Sequence, residues 1–336
     1  MTKTLMQPKT AVEGGTARLF DTRQFVSKYG LVLVFLAVFA FFTAMSGRTF
    51  LDPTMWMRTI LSPTGFTPLL ILAVGLTVVL SMKDFDLSFA AMVGLAGSMS
   101  VALMVNYGQG VLTALIATLA VGVLVGLVNG FLIAYVGASS FVITLALGTL
   151  LAGVETLWTN NRSITGVDSG FYIGLDKTVI FSQLRLPFAI ALAIFFFVWL
   201  LLERTELGRY MYAIGGNPEA ARLTGIPVAR IRTLGFVLVA VLASLVGILL
   251  SANFGGTRSD LGTSFLLGAY AAVFLGAAVF KPGQFNVPGT LLGVVFLRVI
   301  EVGLLQMQIQ TSWINIAKGA ILVFGVLLSQ LVVKRR

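Results

Sequence analysis

The sequence predicts an all-α membrane protein, a polytopic helical bundle of about ten transmembrane helices. Three observations lead there. Of 336 residues, 57% are hydrophobic and only 11% are charged, whereas soluble domains carry about 25% charged residues. Mean hydropathy is +0.97, and a soluble chain of this length would need far more polar surface to cover its core. The apolar residues fall in long runs with short polar breaks, the pattern of helices whose solvent is lipid.

A span needs roughly 20 apolar residues, with about 17 as a lower bound. Runs of that order occupy 29–46, 66–82, 88–106, 111–136, 141–158, 187–202, 234–252, 263–280, 287–305 and 312–333. Only Lys83-Asp84-Phe85-Asp86 separates the second from the third, and the sixth is short unless Leu184 to Leu186 extend it. Residues 1–28 form a basic segment with Lys3, Lys9, Arg18, Arg23 and Lys28. It is too long for the charged start of a cleavable signal, and no small-residue cleavage pattern follows. The run from Tyr29 to Met45 is therefore expected to remain as the first membrane helix. Residues 29–333 then make one transmembrane domain, followed by the basic tail 334–336.

The net charge of +10 is read as a topology signal and not as a nucleic-acid footprint, because the cations cluster in particular connections. With a cytoplasmic N-terminus, the inner side holds the basic N-terminal segment, Lys83, Arg204, Arg209, Arg222, Arg230, Arg232, Lys281 and the tail. The outer side holds only Arg48, Arg58, Arg162, Lys177, Arg185 and Arg258. Both termini are thus expected inside, with connection 203–233 inside and connection 159–186 outside. Cysteine and histidine are both absent, which removes thiol chemistry and the commonest general base and metal ligand. No metal or cofactor is expected.

An internal repeat is one reading of two similarities. Gly126-Leu-Val-Asn-Gly130 in the fourth span resembles Gly289-Thr-Leu-Leu-Gly293 in the ninth, and Asp86-Leu-Ser88-Phe89 resembles Leu261-Gly-Thr-Ser264-Phe265. An offset of five spans would invert the copies, a common transporter architecture. The other reading is chance likeness among Gly/Leu/Val-rich helices. Gly122, Gly126 and Gly130 share one helix face, as do Gly268, Ala272 and Gly276, and such faces allow close helix packing in lipid.

The 203–233 connection carries the clearest local chemistry. Asn217 is a good N-cap, Pro218 suits the first helical position, Glu219 favours the first turn and Arg222 the last. Gly225 is suited to terminate the helix and Pro227 blocks its continuation. A helix of about two turns over 218–224 is therefore expected, either as a docking element for another protein or as a solvated loop helix.

This connection resembles that of the permease subunits of the ribose, xylose, arabinose and galactoside class of ABC importers. The matching residues are Leu207-Gly208-Arg209, Tyr212-Ala213-Ile214-Gly215-Gly216-Asn217, Ala220-Ala221-Arg222-Leu223-Thr224-Gly225-Ile226 and Val228. Asp86-Leu87-Ser88, Gly126…Asn129-Gly130, Ser140-Phe141…Thr144-Leu145, Gly289-Thr290…Gly293 and Lys318-Gly319 resemble further family positions. The likeness covers nearly all the chain after about residue 65. Where the family usually has Gly-Gly before the Asp-Leu-Ser motif, this chain has Lys83-Asp84, and Ala90-Ala91 stands where Gly-Ser is usual. Lys281 to Phe285 replaces a Gly-rich stretch, and Ser140 stands where proline is common. The resemblance implies a permease dimer in a bacterial inner membrane, a cytoplasmic ABC ATPase subunit and a periplasmic solute-binding protein. It implies that Gly208, Arg209 and Gly215 to Gly225 dock the ATPase. No GxxxxGK[ST] phosphate loop is present, so ATP must be hydrolysed on another chain.

Asp86, Ser88, Asn129, Phe141, Thr144, Arg298, Glu301 and Lys318 are candidate pathway residues. Charges inside spans cost roughly 2.5–3.5 kcal/mol each and normally face the bundle and pair. Arg298 and Glu301 share a face, and Glu301 and Lys318 lie at similar depth on consecutive spans. They either line a path for a hydroxyl-rich solute or lock two helices. Asn129 and Thr144 either bond a solute or staple helices. Trp158, Tyr172 and Trp313 are expected as interfacial anchors. The alternative is an ion-coupled secondary transporter of a small polar solute, which would show a carboxylate- or histidine-based ion site; histidine is absent and Glu301 has cations nearby to neutralise it. A membrane enzyme would need a clustered nucleophile, base or metal set, and the sequence offers none.

Overall fold

A computed structural model describes residues 22–181, 184–258, 260–281 and 283–333. The basic residues Lys3, Lys9 and Arg18 and the tail 334–336 lie outside the described residues. Fourteen α-helices follow in order: α1 (Thr22–Ser46), α2 (Pro53–Ile60), α3 (Phe66–Ser81), α4 (Ser88–Val105), α5 (Val111–Gly130), α6 (Ser140–Thr159), α7 (Gly170–Lys177), α8 (Leu186–Arg204), α9 (Glu206–Gly216), α10 (Pro218–Leu223), α11 (Val228–Phe254), α12 (Thr263–Gly276), α13 (Val287–Gln306) and α14 (Thr311–Val333). A π turn, Phe131–Tyr135, prolongs α5. Four short strands, β1 (Ile164–Thr165), β2 (Val179–Phe181), β3 (Leu184–Arg185) and β4 (Gly256–Thr257), form two antiparallel pairs, β1 with β4 and β2 with β3.

Seven helices are long and apolar enough to cross a membrane, and the shorter apolar helices α3 and α12 together with the apolar stretch Thr311–Leu327 of α14 complete the set. Each coincides with one expected span. At 16 and 14 residues, α3 and α12 reach only about 24 and 21 Å, short of a hydrocarbon layer near 30 Å. Their burial explains how this is tolerated. Every residue of α3 is buried, as is most of α12 from Gly268 to Gly276, so α3 and the C-terminal half of α12 are covered by protein.

Helix packing repeats at an offset of five spans over the four spans α3 to α6 and α11 to α14. In the first half α4 packs on α5 and α6; in the second α12 packs on α13 and α14. The halves then exchange partners, since α11 packs on α4 and α5 while α3 packs on α12 and α13. The glycines do not follow the same correspondence. A Cβ on Gly126 would meet Val237 of α11 at 2.4 Å, whereas one on Gly293 would meet Ala272 of α12 at 2.1 Å. The repeat lives in the helix arrangement, and the sequence likeness between these glycines marks close packing on different partners. Gly268, grouped by spacing with Ala272 and Gly276, faces Leu69 of α3.

The connections are more structured than their composition indicates. α2 is capped by Asp52, whose Oδ1 accepts from Thr54 N at 2.9 Å. The 159–186 connection contains α7 and three strands, and β1 pairs with β4 so that Ile164 lies opposite Thr257. One helix, α8, separates α7 from α9 and α10, which therefore mark opposite ends of the bundle.

Candidate functional site

The 203–233 connection folds into two helices. α10 forms as its residues dictate. Asn217 Oδ1 accepts from Glu219 N at 3.0 Å and Ala220 N at 3.1 Å, with Pro218 in the first turn. Its C-terminus closes with Ile226 N donating to Ala221 O and Gly225 N to Arg222 O, the paired bonds that a left-handed terminating residue permits; Gly225 has φ +86°. Glu219, Ala220, Arg222 and Gly216 are exposed and Ala221 is buried. Leu223 is 87% exposed, an apolar knob on a charged surface.

α9 was not expected from sequence. Its signal is present: Thr205 caps it, accepting from Gly208 N at 3.2 Å, and Glu206 occupies the first turn. Glu206 also faces the exposed Arg209 at 3.6 Å. Gly208 is buried because a Cβ there would meet Leu202 O at 2.3 Å. α9 reaches both halves of the bundle. A Cβ on Gly215 would lie 2.0 Å from Ser81 O at the end of α3, and Tyr212 donates to Phe285 O at 3.0 Å just before α13. Burial, then the nearby Glu203 carboxylate, raises the Tyr212 phenol above its ordinary pKa, so it remains a donor. Glu203 itself pairs with Lys281.

Beyond Ser81, residues 82–87 form a non-helical segment between α3 and α4, in which Met82, Asp84 and Asp86 are buried and Lys83 is exposed. Lys83 adopts φ +61°, the left-handed region that glycine occupies without cost. Asp84 is buried and holds Arg232 of α11 in a bidentate pair, Nε to Oδ2 at 2.7 Å and Nη2 to Oδ1 at 2.5 Å. Asp86 Oδ1 accepts from Ser88 N at 2.8 Å and Ser88 Oγ at 2.6 Å, and Asn129 Nδ2 donates to Ser88 Oγ at 2.9 Å. Leu87 N donates to Thr144 Oγ1 at 3.0 Å. Tyr270 Oη of α12 donates to Asp86 O at 2.7 Å and accepts from Asp86 N at 3.1 Å. Four expected residues, Asp86, Ser88, Asn129 and Thr144, thus meet around one segment. Asp86 Oδ2 and Asn129 Oδ1 are buried acceptors without a partner. Phe141 does not join them; it is 51% exposed on α6, with its ring edge toward Phe85.

Arg298, Glu301 and Lys318 form a second cluster with no hydrogen bond or ion pair to the first among the described residues. Arg298 Nη1 lies 3.0 Å from Glu301 Oε2, and Lys318 Nζ lies 3.4 Å from Glu301 Oε1. The three border a cavity with Thr64, Gly65, Ser264 and Gly268. α12 follows β4 and begins at this cavity, so the cluster lies toward the end of the bundle marked by β1 and α7.

Tyr172 corrects the expectation of an interfacial anchor. It is fully buried, and its hydroxyl meets Ser100 at 2.9 Å and Ser251 at 2.6 Å, pinning α7 onto α4 and α11. Trp158 and Trp313 are exposed. Glu155 went unnoticed in the sequence because it stands alone in its span. It is buried, accepts from Ser98 Oγ at 2.9 Å, and fits only because Gly94 has no side chain.

Comparison with known proteins places residues 61–328 in the family described as branched-chain amino acid transport system / permease component. The ribose import permease protein RbsC of Escherichia coli is 30% identical over 317 residues, 93% of this chain and 96% of the relative. The galactose/methyl galactoside import permease protein MglC of Escherichia coli is 29% identical over 92% of this chain and 94% of the relative. The autoinducer 2 import system permease protein LsrD of Yersinia enterocolitica is 33% identical over 79% and 81%. No solved structure matches.

Proposed function

Because the chain belongs to the family of transport-system permease components, we propose that it is the membrane-spanning permease of an ABC importer moving a small sugar or sugar-like solute inward. It is a multi-pass membrane transport component and not an enzyme; ATP hydrolysis belongs to a partner chain. α10 is the element on which this reading rests. It is short, capped at both ends and presents Leu223 outward, and the adjoining α9 seats on α3 through Gly215 and on the turn before α13 through Tyr212. A rigid helix transmits displacement where a flexible loop would absorb it. ATPase closure at α10 would bear on Ser81, then on segment 82–87, where Asp86, Ser88, Asn129 and Thr144 gather, and so bias two packings of the bundle.

In this reading both termini and α10 are cytoplasmic, α7 faces the periplasmic binding protein, and a second permease copy completes the pathway. The unpartnered Asp86 Oδ2 and Asn129 Oδ1 suit the hydroxyl donors of a sugar. Glu301 is already held by two cations, which disfavours it as the ion site of an ion-coupled transporter. The test is copurification with the ATPase followed by uptake in proteoliposomes. ATP-dependent, binding-protein-dependent sugar uptake supports the proposal; uptake driven by an ion gradient without ATPase overturns it.

A further inference from the structure

Two cations share one carboxylate in the cavity between α3, α12, α13 and α14. Arg298, Glu301 and Lys318 are 15%, 22% and 17% exposed at the side chain, so none is freely hydrated. Among the described residues, Glu301 is the only acidic one lining the cavity, which leaves a formal excess of one positive charge. Arg298 Nε is buried with no acceptor. The guanidinium lies flat over Gly65, where a Cβ would come within 2.5 Å of Nη2. On its other flank a second cavity is walled by Phe35, Phe39, Trp56 and Phe66, surroundings of low dielectric in which an unpaired donor or charge is expensive. Thr64 and Ser264 add hydroxyl-bearing side chains at the wall, and about 110 Å³ is open to the centres of water-sized groups. That is room for a carboxylate and its adjoining hydroxyls.

We infer that this cavity is a binding subsite for the carboxylate of an acidic sugar, held by the Arg298 and Lys318 side chains beside Glu301. The inference rests on the permease reading and narrows it. The segment around Asp86 offers unpartnered acceptors, whereas this cavity offers an unpartnered donor, Arg298 Nε, and excess positive charge. A neutral sugar satisfies the first and leaves the second uncompensated; a sugar acid satisfies both. In the orientation proposed above, the cavity lies at the outer end, where an arriving solute is met first.

The test uses the permease–ATPase complex in nanodiscs of neutral phosphatidylcholine, titrated calorimetrically with D-galacturonate and with D-galactose at one ionic strength. These differ at a single carbon, carboxylate against hydroxymethyl. Exchanging a neutral for a charge-assisted hydrogen bond is worth roughly tenfold in affinity, so galacturonate should bind about tenfold more tightly. Lys318→Gln leaves a balanced Arg298–Glu301 pair and should abolish the preference, while Lys318→Arg should keep it. Equal affinities for the two sugars, or an unchanged preference in Lys318→Gln, overturn the inference. Phosphatidylglycerol nanodiscs identify the source of the anion. Unchanged galacturonate binding supports a solute subsite, and loss of that binding to the lipid assigns the cavity to a headgroup and overturns it. Docking and stimulation of the ATPase through α10 do not depend on this cavity. A negative titration with intact ATPase coupling therefore fails the inference alone, whereas absent coupling fails the permease reading.

Discussion

Asp84→Asn tests whether segment 82–87 is tied to the helix that follows α10. Asp84 is 3% exposed, and both its oxygens are used by Arg232 at 2.7 and 2.5 Å. Breaking a buried pair by removing one charge costs about 3–5 kcal/mol. Two features lower that figure here. The Arg232 side chain is 22% exposed, so water reaches part of it, and asparagine retains one acceptor. A loss of about 2 kcal/mol is the expected result. For a chain of this size that is roughly 4 °C in the unfolding midpoint of the detergent-solubilised complex. Arg232→Gln should cost a similar amount by orphaning Asp84. Asparagine and glutamine together leave no buried charge, so the double variant should lose about 1 kcal/mol less than the sum of the singles. The stability loss should persist in high salt, because buried pairs are weakly screened. Additive effects in the double-variant cycle would refute the tie. So would single variants with wild-type stability and wild-type ATPase stimulation.

Three further outcomes follow from the same geometry. Ala221→Pro removes the N–H that donates to Asn217 O at 3.0 Å and costs about 3 kcal/mol locally; it should reach the membrane yet fail to stimulate the ATPase. Leu223→Asp should change stability by under about 0.5 kcal/mol, because the side chain is exposed, yet release the ATPase during copurification. Glu301→Gln leaves Arg298 and Lys318 facing each other without a carboxylate, and should cost about 2 kcal/mol after allowing for partial exposure; adding Lys318→Gln should recover part of it, measured by thermal stability.

What sequence made legible was local or repetitive. The ten spans could be read because the runs approach a length set by the bilayer and are separated by polar breaks. α10 could be read because capping chemistry is decided within a few residues. The Arg298–Glu301–Lys318 contacts could be read because a short turn joins α13 to α14 and charges at one depth must pair. The structure adds long-range pairings that no local rule announces. Arg232 looked like a topology charge until it met Asp84, 148 residues away. Tyr172 looked like an interfacial anchor because its burial depends on Ser100 and Ser251, on two other helices.

The Lys83-Asp84 pair ties these levels together. The resemblance to sugar permeases puts glycines at both positions, and the structure gives a backbone reason for the first: φ is +61° at Lys83. A lysine held there costs about 1 kcal/mol relative to glycine. A glycine in place of Asp84 would leave Arg232 without its carboxylate, at a cost of about 3 kcal/mol. The second effect exceeds the first, so this chain gains stability in a segment that glycines would leave loose. The consequence is mechanical. Segment 82–87 connects Ser81, under α9, to Asp86 and Ser88 at the head of α4. An ion pair clamping its middle to the second turn of α11 ties the two ends together, which the drive from α10 proposed above would require of this stretch of chain.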